Sequence, residues 1–576
     1  MIKKSKLIVI LVIIFITPRC FAYIPKPLSS SDQETYKKIF DFQENGDFNS
    51  ADKLIKIIED DILMGRVLAQ RYLDPKSYIS KFSELKDWLK KYNDHPSASR
   101  IYWLSKRKKP KSAPLPQKPT PGYLSGFGGL DNERIRPSIP LSFSGRSAPS
   151  VTREIARKIR RYIRRGWPSG ALEVLNTSRA KKYLTNKEEA QLHWEIANAY
   201  FIFNKDLEAI TQASKSLKIS NGKFDYGWFT AGLASWRRGD LKRAEMFFNN
   251  LADLKEARDF IRASGAYWGS RVALEKNDPK RAIQLLKIGA NFQDTFYGQL
   301  SIAALGQKNN LDFDLPEVSK DFMSWLYNQK GGKRAFGLIQ VGEYWHAERE
   351  LRKLYPRTPK NYHIQLMTFA AQNGMPSLSY RLADIQRNET GINWYGALYP
   401  HFIFQNETNF LDNSLILSIV RQESRFDQRG KSPAKAQGLM QILPSTAAFI
   451  MRDKNYRSGK LRHDLLIPEV SFNIGEKYLE HLLNEPIVNH NVIKMLAAYN
   501  GGPGNLNKWI KKTNFDNDPL LFIESLPSRE TRGYIKSVLK NLYIYRSKFN
   551  KTIPEIEIIS SGAWPIKKDF EIIDMF

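Results

Sequence analysis

The amino-acid sequence predicts a mainly α-helical protein in which an array of stacked helix pairs precedes a separate C-terminal domain. Three observations lead there. Small residues recur, with Ala197, Gly232 and Ser270 standing 35 and 38 positions apart, each followed twelve positions on by Ala209, Ala244 and Ala282. Turn-forming pairs, Asn204-Lys205, Gly239-Asp240 and Asn277-Asp278, recur in the same phase. Finally, 576 residues with 42% apolar and 26% charged side chains make at least two globular domains rather than a disordered chain. A helix pair cannot bury its apolar face alone, so a period of this length means pairs that stack on one another.

Taken in order, residues 1–22 open with Lys3, Lys4 and Lys6, continue through the apolar run Leu7 to Ile16, and end in Thr17-Pro18-Arg19-Cys20-Phe21-Ala22. This pattern predicts a secretory signal cut after Ala22, the run being short for a membrane span. Arg19 before Cys20 argues against a lipoprotein site. Cys20 is the only cysteine, so a chain starting at Tyr23 has neither disulfides nor thiol chemistry. Residues 23–106 read as packed helices, with Leu54, Ile57, Ile58, Ile62 and Leu63 on one stripe and Leu85, Trp88, Leu89 and Tyr92 on another. Residues 107–150, rich in Pro, Gly, Ser and Lys, read as a linker or long surface loop. The repeats, which resemble tetratricopeptide helix pairs, fill 151–400. A further domain is expected over 401–550, with a helix from Pro468 to Leu482 that carries Ile474, Tyr478 and Leu482 on one stripe. Beyond it, residues 551–576 alternate at Glu555, Ile556, Glu557 and Ile558, the pattern of a short strand or an extended tail.

The formal charge is +30, and losing Lys3, Lys4, Lys6 and Arg19 leaves +26. Such an excess attracts a polyanion. The densest run, Arg157, Lys158, Arg160, Arg161, Arg164 and Arg165, is either a solvated helix face or a surface for an anionic polymer. No nucleic-acid-binding signature accompanies it, so nucleic acid is not expected as partner. Eight scattered histidines without HExxH, and no GxxxxGK[ST] loop, leave metal and nucleotide cofactors without support.

One acid stands out. Ile416, Ile419, Val420, Glu423 and Phe426 share the spacing of one helix face, which puts Glu423 at the end of an apolar stripe. Desolvation disfavours a charged carboxylate and raises its pKa toward the range where it can donate a proton near neutrality. Four segments surround this residue: Glu423-Ser424, Gly438-Leu439-Met440-Gln441 fifteen positions on, Ala498-Tyr499-Asn500, and Glu530-Thr531-Arg532-Gly533-Tyr534. In order and spacing they resemble the catalytic domain of the soluble lytic murein transglycosylases. Gly337-Leu338-Ile339-Gln340 nearly copies the second segment but has no Glu-Ser pair fifteen residues before it, and alone it carries no meaning.

The resemblance implies a lysozyme-like α+β catalytic domain behind a helical array curved into a ring or horseshoe. It implies cleavage of peptidoglycan glycan strands between N-acetylmuramic acid and N-acetylglucosamine by a single acid, Glu423, which returns as a base toward the sugar's own C6 hydroxyl and closes a 1,6-anhydro ring. Ser424 would hold the helix end, and Ser432 would approach the acid or the substrate N-acetyl group. Gly438 would form a turn whose Met440 and Gln441 line the cleft floor. Tyr499 and Asn500 would hydrogen-bond near the carboxyl, while Glu530 and Tyr534 would support the site. Ordinary glycosidases use a second carboxylate, and none is assigned that task by the sequence. The pattern of residues 1–22 predicts an exported, periplasmic location with no stable membrane anchor after signal removal; the absence of metal and nucleotide motifs predicts no cofactor, and wall-synthesis proteins are candidate partners. Two other readings stay open: a helical-repeat scaffold that only holds glycan, and a muramidase hydrolase on the same fold.

Overall fold

The computed structural model describes residues 24–75, 77–126, 149–401 and 412–567. The expected signal segment and the middle of the expected linker, 127–148, lie outside the described residues. The chain packs as two compact units, one drawn from Met1–Gly128 and Asp314–Pro400, the other from Gly129–Phe313 and His401–Phe576. The change of unit at Phe313 falls inside the stretch expected to hold the repeats, 151–400, within a non-helical run that starts at Leu305.

In the first unit the predicted stripe Leu85, Trp88, Leu89 and Tyr92 is buried along the helix Phe82–Tyr92, against Ile101 of the helix Ala98–Lys108. The other stripe is broken. The helix Phe48–Ile55 stops before Ile57, which is 63% exposed, and Leu63 is buried from a single 3₁₀ turn, Asp61–Leu63. Acidic caps cause the break: Asp32 accepts from the backbone N–H groups of Glu59 and Asp60, and Asp60 accepts from that of Ile62. The near-copy motif 337–340 is the end of the helix Lys330–Gln340, where the Gln340 side chain clips the backbone of Leu28. Residues read as linker are fixed where described. Thr120 N–H donates to the Asn93 carbonyl, and Leu124 exchanges two 2.9 Å bonds with Arg352, through the Arg352 carbonyl and its Nε.

In the second unit the repeats form the expected pairs, Asn186–Ile202 with Asp206–Ile219, Asp225–Arg237 with Leu241–Asp253, and Asp259–Glu275 with Pro279–Ala290. The periodic turn residues Asn204, Gly239 and Asn277 adopt φ of 58°, 73° and 59°, a left-handed conformation that Asn and Gly tolerate. Asp240 and Asp278 then cap the second helix of their pairs. This array backs the C-terminal helices. Asn204 bonds Lys512 and Asn514, Tyr297 donates to Glu524 at 2.7 Å, Gln299 donates to the Lys540 carbonyl, and Arg271 pairs with Asp518 at 2.8 Å.

Two expectations change here. Among the described residues the β part of the C-terminal domain is reduced to isolated bridges, Lys431 with Gln437, Gln437 with Ile442, and Asn491 with Ile566. The alternating segment is a helix, Pro554–Ser560, not a strand: Ile556 and Ile559 bury on one face, and Glu555 is buried against Arg546. Proline at the first helical position and an acid in the first turn explain why helix wins over the alternation. No helix among the described residues is long and apolar enough to cross a membrane.

Candidate active site

The helix Asn413–Glu423 begins at Asp412, whose carboxylate accepts from Ser414 N–H and is gripped by Arg546 and Lys551 at 2.9 Å each. Burial works to raise the Asp412 pKa, but the Lys551 hydrogen bond and the Arg546 charge outweigh it and hold the carboxyl below its ordinary value. The helix is buried along almost its whole length and packs on the helix Arg529–Lys548, where Arg421 donates to Asn541 at 2.8 Å. It ends at Glu423, so Phe426 lies beyond it. Ser424 Oγ donates to the Val420 carbonyl at 3.2 Å, and Arg425 and Phe426 follow with φ of 52° and 64°. Two successive left-handed non-glycine residues are costly. They turn the chain sharply and bury Phe426, which was expected on the same face as Glu423.

The Glu423 side chain keeps some solvent contact, while its carboxyl lies deep among protein atoms. Burial pushes its pKa up to about 8; Tyr534 pulls it down, and the negative charge of Glu530 pushes it up again. Its place at a helix C-terminus adds to the rise, since the helix dipole is negative there. The result is a carboxylic acid that keeps its proton at neutral pH. Beside it stand Tyr499 and Tyr534, which stack with ring centroids 6.3 Å apart and planes 9° apart, and Tyr478 lies 5.4 Å from Tyr499. Burial and then the Glu423 charge raise the pKa values of Tyr499 and Tyr534 well above the usual tyrosine range, so both remain neutral donors. The Tyr534 hydroxyl is buried and faces Glu423 closely enough to shift it, yet forms no aligned hydrogen bond with a protein atom. It is the donor left over for a ligand or for the carboxyl itself. Glu530, four positions before it on the same helix, is exposed.

The other candidates support the site from beneath. Gly438 has φ +76°, and a Cβ there would stand 1.9 Å from the Leu465 carbonyl oxygen, so only glycine fits. Gln441, at φ 49°, spends its amide on the carbonyls of Gly430 and Gly438 and so pins its own turn. Met440 is fully buried against Gly475; its N–H donates to Ser471 and its carbonyl accepts from Tyr499 at 2.7 Å. Its side chain is therefore packing below the site rather than an open floor. Ser432 Oγ accepts from Ala436 N–H within its own loop, and Asn500 accepts from Thr531 at 2.7 Å, joining the Ala-Tyr-Asn segment to the Glu-Thr-Arg-x-Tyr segment. Ser432 was expected to approach the acid or the substrate N-acetyl group and Asn500 to hydrogen-bond near the carboxyl; the partners they show here are a backbone N–H and a hydroxyl. Arg532, between Glu530 and Tyr534, is buried, donates to the Glu524 carbonyl, and is lowered to about 10 chiefly by burial.

Sequence reasoning did not single out Arg421, Asn541, Ser471, Asp412 or Arg546, which hold the frame. Polar residues buried inside a helix pair leave no periodic signal. Among the described residues no cluster of three potential metal ligands occurs.

Residues 401–522 match the family described as Transglycosylase SLT domain. The chain carries a transglycosylase SLT domain. The match takes in Glu423 and Tyr499, whereas Glu530 and Tyr534 lie beyond it. Over 294 residues the chain is 30% identical to the soluble lytic murein transglycosylase of Escherichia coli K12, an alignment covering 49% of this chain and 43% of that protein. Over 331 residues it is 32% identical to the putative soluble lytic murein transglycosylase of Haemophilus influenzae, covering 56% and 52%. The chain thus spans about half the length of the curated relatives it matches. Among solved structures, the lytic transglycosylase Slt of Pseudomonas aeruginosa superposes with a TM-score of 0.56 at 19% identity, over 94% of this chain and 90% of that one. The 70-kDa soluble lytic transglycosylase of E. coli gives 0.51 at 18%, over 93% and 99%. These likenesses place the SLT domain and the helices before it in one fold with those proteins.

Proposed function

We propose that the chain is an exported lytic transglycosylase that cuts the β-1,4 bond between N-acetylmuramic acid and N-acetylglucosamine in peptidoglycan, with Glu423 as its single acid and base. The observation that carries this reading is a carboxyl raised to about 8 by burial inside an SLT domain. In the first step Glu423 gives its proton to the glycosidic oxygen as the bond from that oxygen to C1 breaks and positive charge develops at C1. In the second, the C6 hydroxyl oxygen of the same sugar bonds to C1 and its proton returns to the Glu423 carboxylate. The enzyme is restored and no water is consumed. The C6 hydroxyl is tethered beside C1, which supplies the orientation that a free nucleophile lacks. Tyr534, a neutral donor facing the carboxyl, steadies it while it is charged between the steps. Export follows from the basic and apolar pattern of residues 1–22, and N-terminal sequencing that finds Met1 retained on a cytoplasmic protein refutes it.

The test has two parts. Glu423→Gln keeps the shape but can neither give nor take the proton, and should lower glycan cleavage by about 10²- to 10⁴-fold. Digestion of sacculi in ¹⁸O-labelled water should leave new muramic ends unlabelled and 1,6-anhydro in form. The hydrolase reading is kept alive by one observation, the charge of Glu530 felt at Glu423; muramic ends carrying ¹⁸O at C1 would establish it and refute the transglycosylase.

A further inference from the structure

The first unit, which does not contain Glu423, carries an open groove of about 450 Å³ among Tyr102, Trp103, Lys118, Thr120, Tyr123 and Lys353. That is within the size range of ligand sites, about 300–1,000 Å³. One wall is the end of the helix Ala98–Lys108, and the other is the extended Pro-rich strap read from sequence as part of a linker. The strap is tied down by the Thr120 and Leu124 bonds already described, and by Lys353 Nζ, which donates to the carbonyls of Thr120 and Gly122 at 2.6 and 3.0 Å. A loop with so many ties to its neighbours is a wall, not a spacer.

Three features of the groove leave room for a ligand. Trp103 is 65% exposed and, among the described residues, has Lys106 over its ring at 5.0 Å. A large aromatic surface left in water at the edge of a groove is the usual platform for a sugar face or another flat apolar body. Lys106 and Lys118 form no ion pair among the described residues, and Lys106, Arg107, Lys108, Lys109, Lys111 and Lys118 follow within thirteen positions without an acid. Most telling is Lys353. It is 5% exposed, covered although shallow, and no carboxylate pairs with it among the described residues. Two of its three ammonium protons are spent on backbone carbonyls. Burial and the nearby Arg357 charge depress its pKa, with Asp94 and Glu350 opposing only in part. A covered cation without a counter-ion, opening on an aromatic groove with a basic rim, is incomplete without an anion.

We propose that this groove binds an anionic glycan: the sugar rings lie against Trp103 and Tyr102, and carboxylates carried by the strand meet Lys118 and the free proton of Lys353. The ligand class is read from the pairing of the exposed Trp103 face and the half-buried Tyr102 with cations that no carboxylate pairs among the described residues. A nucleic acid would satisfy the charge, but the groove has room for only a few rings rather than a track along a backbone. The choice of murein as probe rests on the proposed function; the groove itself does not.

Isothermal titration of the Glu423→Gln protein with a soluble, uncrosslinked murein tetrasaccharide bearing carboxylate-ended stem peptides tests it. Two binding equivalents are expected, falling to one in Trp103→Ala or Lys118→Ala, while the charge-matched change at an exposed cation of the second unit, Lys287→Ala, keeps two. Trp103 and Lys118 are exposed, so neither replacement disturbs packing, and an unchanged melting curve verifies it. Lys353→Met, which keeps the stem and removes the charge, should also lose the second equivalent. A single equivalent that the Trp103 and Lys118 variants leave untouched overturns the proposal. So does displacement of the fragment from the groove by polyglutamate or duplex DNA as readily as by glycan, which would mean bare charge attraction. Failure of wild-type protein to cut the fragment counts against Glu423 chemistry alone, because the groove is read by the equivalent lost with Trp103.

Discussion

Replacing Glu423 by Gln should stabilise the protein, and should do so only above acid pH. Below the ordinary carboxyl value of about 4.5 the residue is protonated in both the folded and the unfolded chain, so it adds no pH dependence. Between about 4.5 and 8 the unfolded chain has released the proton and the native protein still holds it. The native state then binds more protons than the unfolded state, so stability falls as pH rises through this window. At 1.36 kcal/mol per pKa unit, a rise from 4.5 to about 8 sets an upper value of about 5 kcal/mol for the penalty at pH 8 and beyond. Glutamine has the same shape and no charge to bury, so it escapes the penalty. At about 2 °C per kcal/mol for a body of this size, the melting temperature of Glu423→Gln should match wild type near pH 4 and exceed it by up to about 10 °C at pH 8. Paired thermal scans across pH 4 to 9 give the difference directly. Parallel curves for the two proteins would mean that Glu423 is an ordinary solvated carboxylate and would refute the reasoning that makes it a proton donor.

Other expectations follow from the same site. Glu530→Gln removes the like charge that helps raise Glu423, so the alkaline fall in glycan cleavage should move to lower pH, seen in a pH–rate profile; an unmoved limb refutes the coupling. Tyr534→Phe removes the group that lowers the Glu423 pKa, so the same limb should move to higher pH while the rate at the optimum falls. Gly438→Ala forces a Cβ onto the Leu465 carbonyl at φ +76°, and strain of about 1–3 kcal/mol from the backbone alone, with the clash added, should appear as a lower melting temperature; a melting temperature equal to wild type would show that the turn can relax.

The helical pairs were legible because their signal is repetitive: Asn204, Gly239 and Asn277 are both the period in the sequence and the left-handed turns in space. Glu423 stood out because it ends an apolar stripe and because four segments around it resemble those of a known family; its buried carboxyl is what the structure adds. What escaped was of two kinds. Local capping overruled periodicity around Asp60, where side-chain acceptors stop the helix before Ile57, and at Pro554, where a helix start overrode an alternating pattern. Partner choice was the other: Ser432, Asn500 and Gln441 are polar groups whose nearest partner is decided by a few ångströms of loop geometry, and the spacing of motifs is silent about that. The Arg546–Asp412 bridge joins residues 134 apart in the chain, and no pattern within either segment foretells it.

The helix Arg529–Lys548 turns Tyr534 toward Glu423, while Arg532 and Lys536 meet Glu524 and the Lys540 carbonyl meets Gln299 of the repeats. An α-helix advances about 100° per residue. Inserting or deleting one residue between Glu530 and Lys540 would therefore swing the tyrosine away from the acid, or else tear the other face from the array behind it. Substitutions can accumulate on this helix one at a time, but its length is locked, and an SLT domain transplanted onto foreign repeats would have to bring this helix's seat along with it.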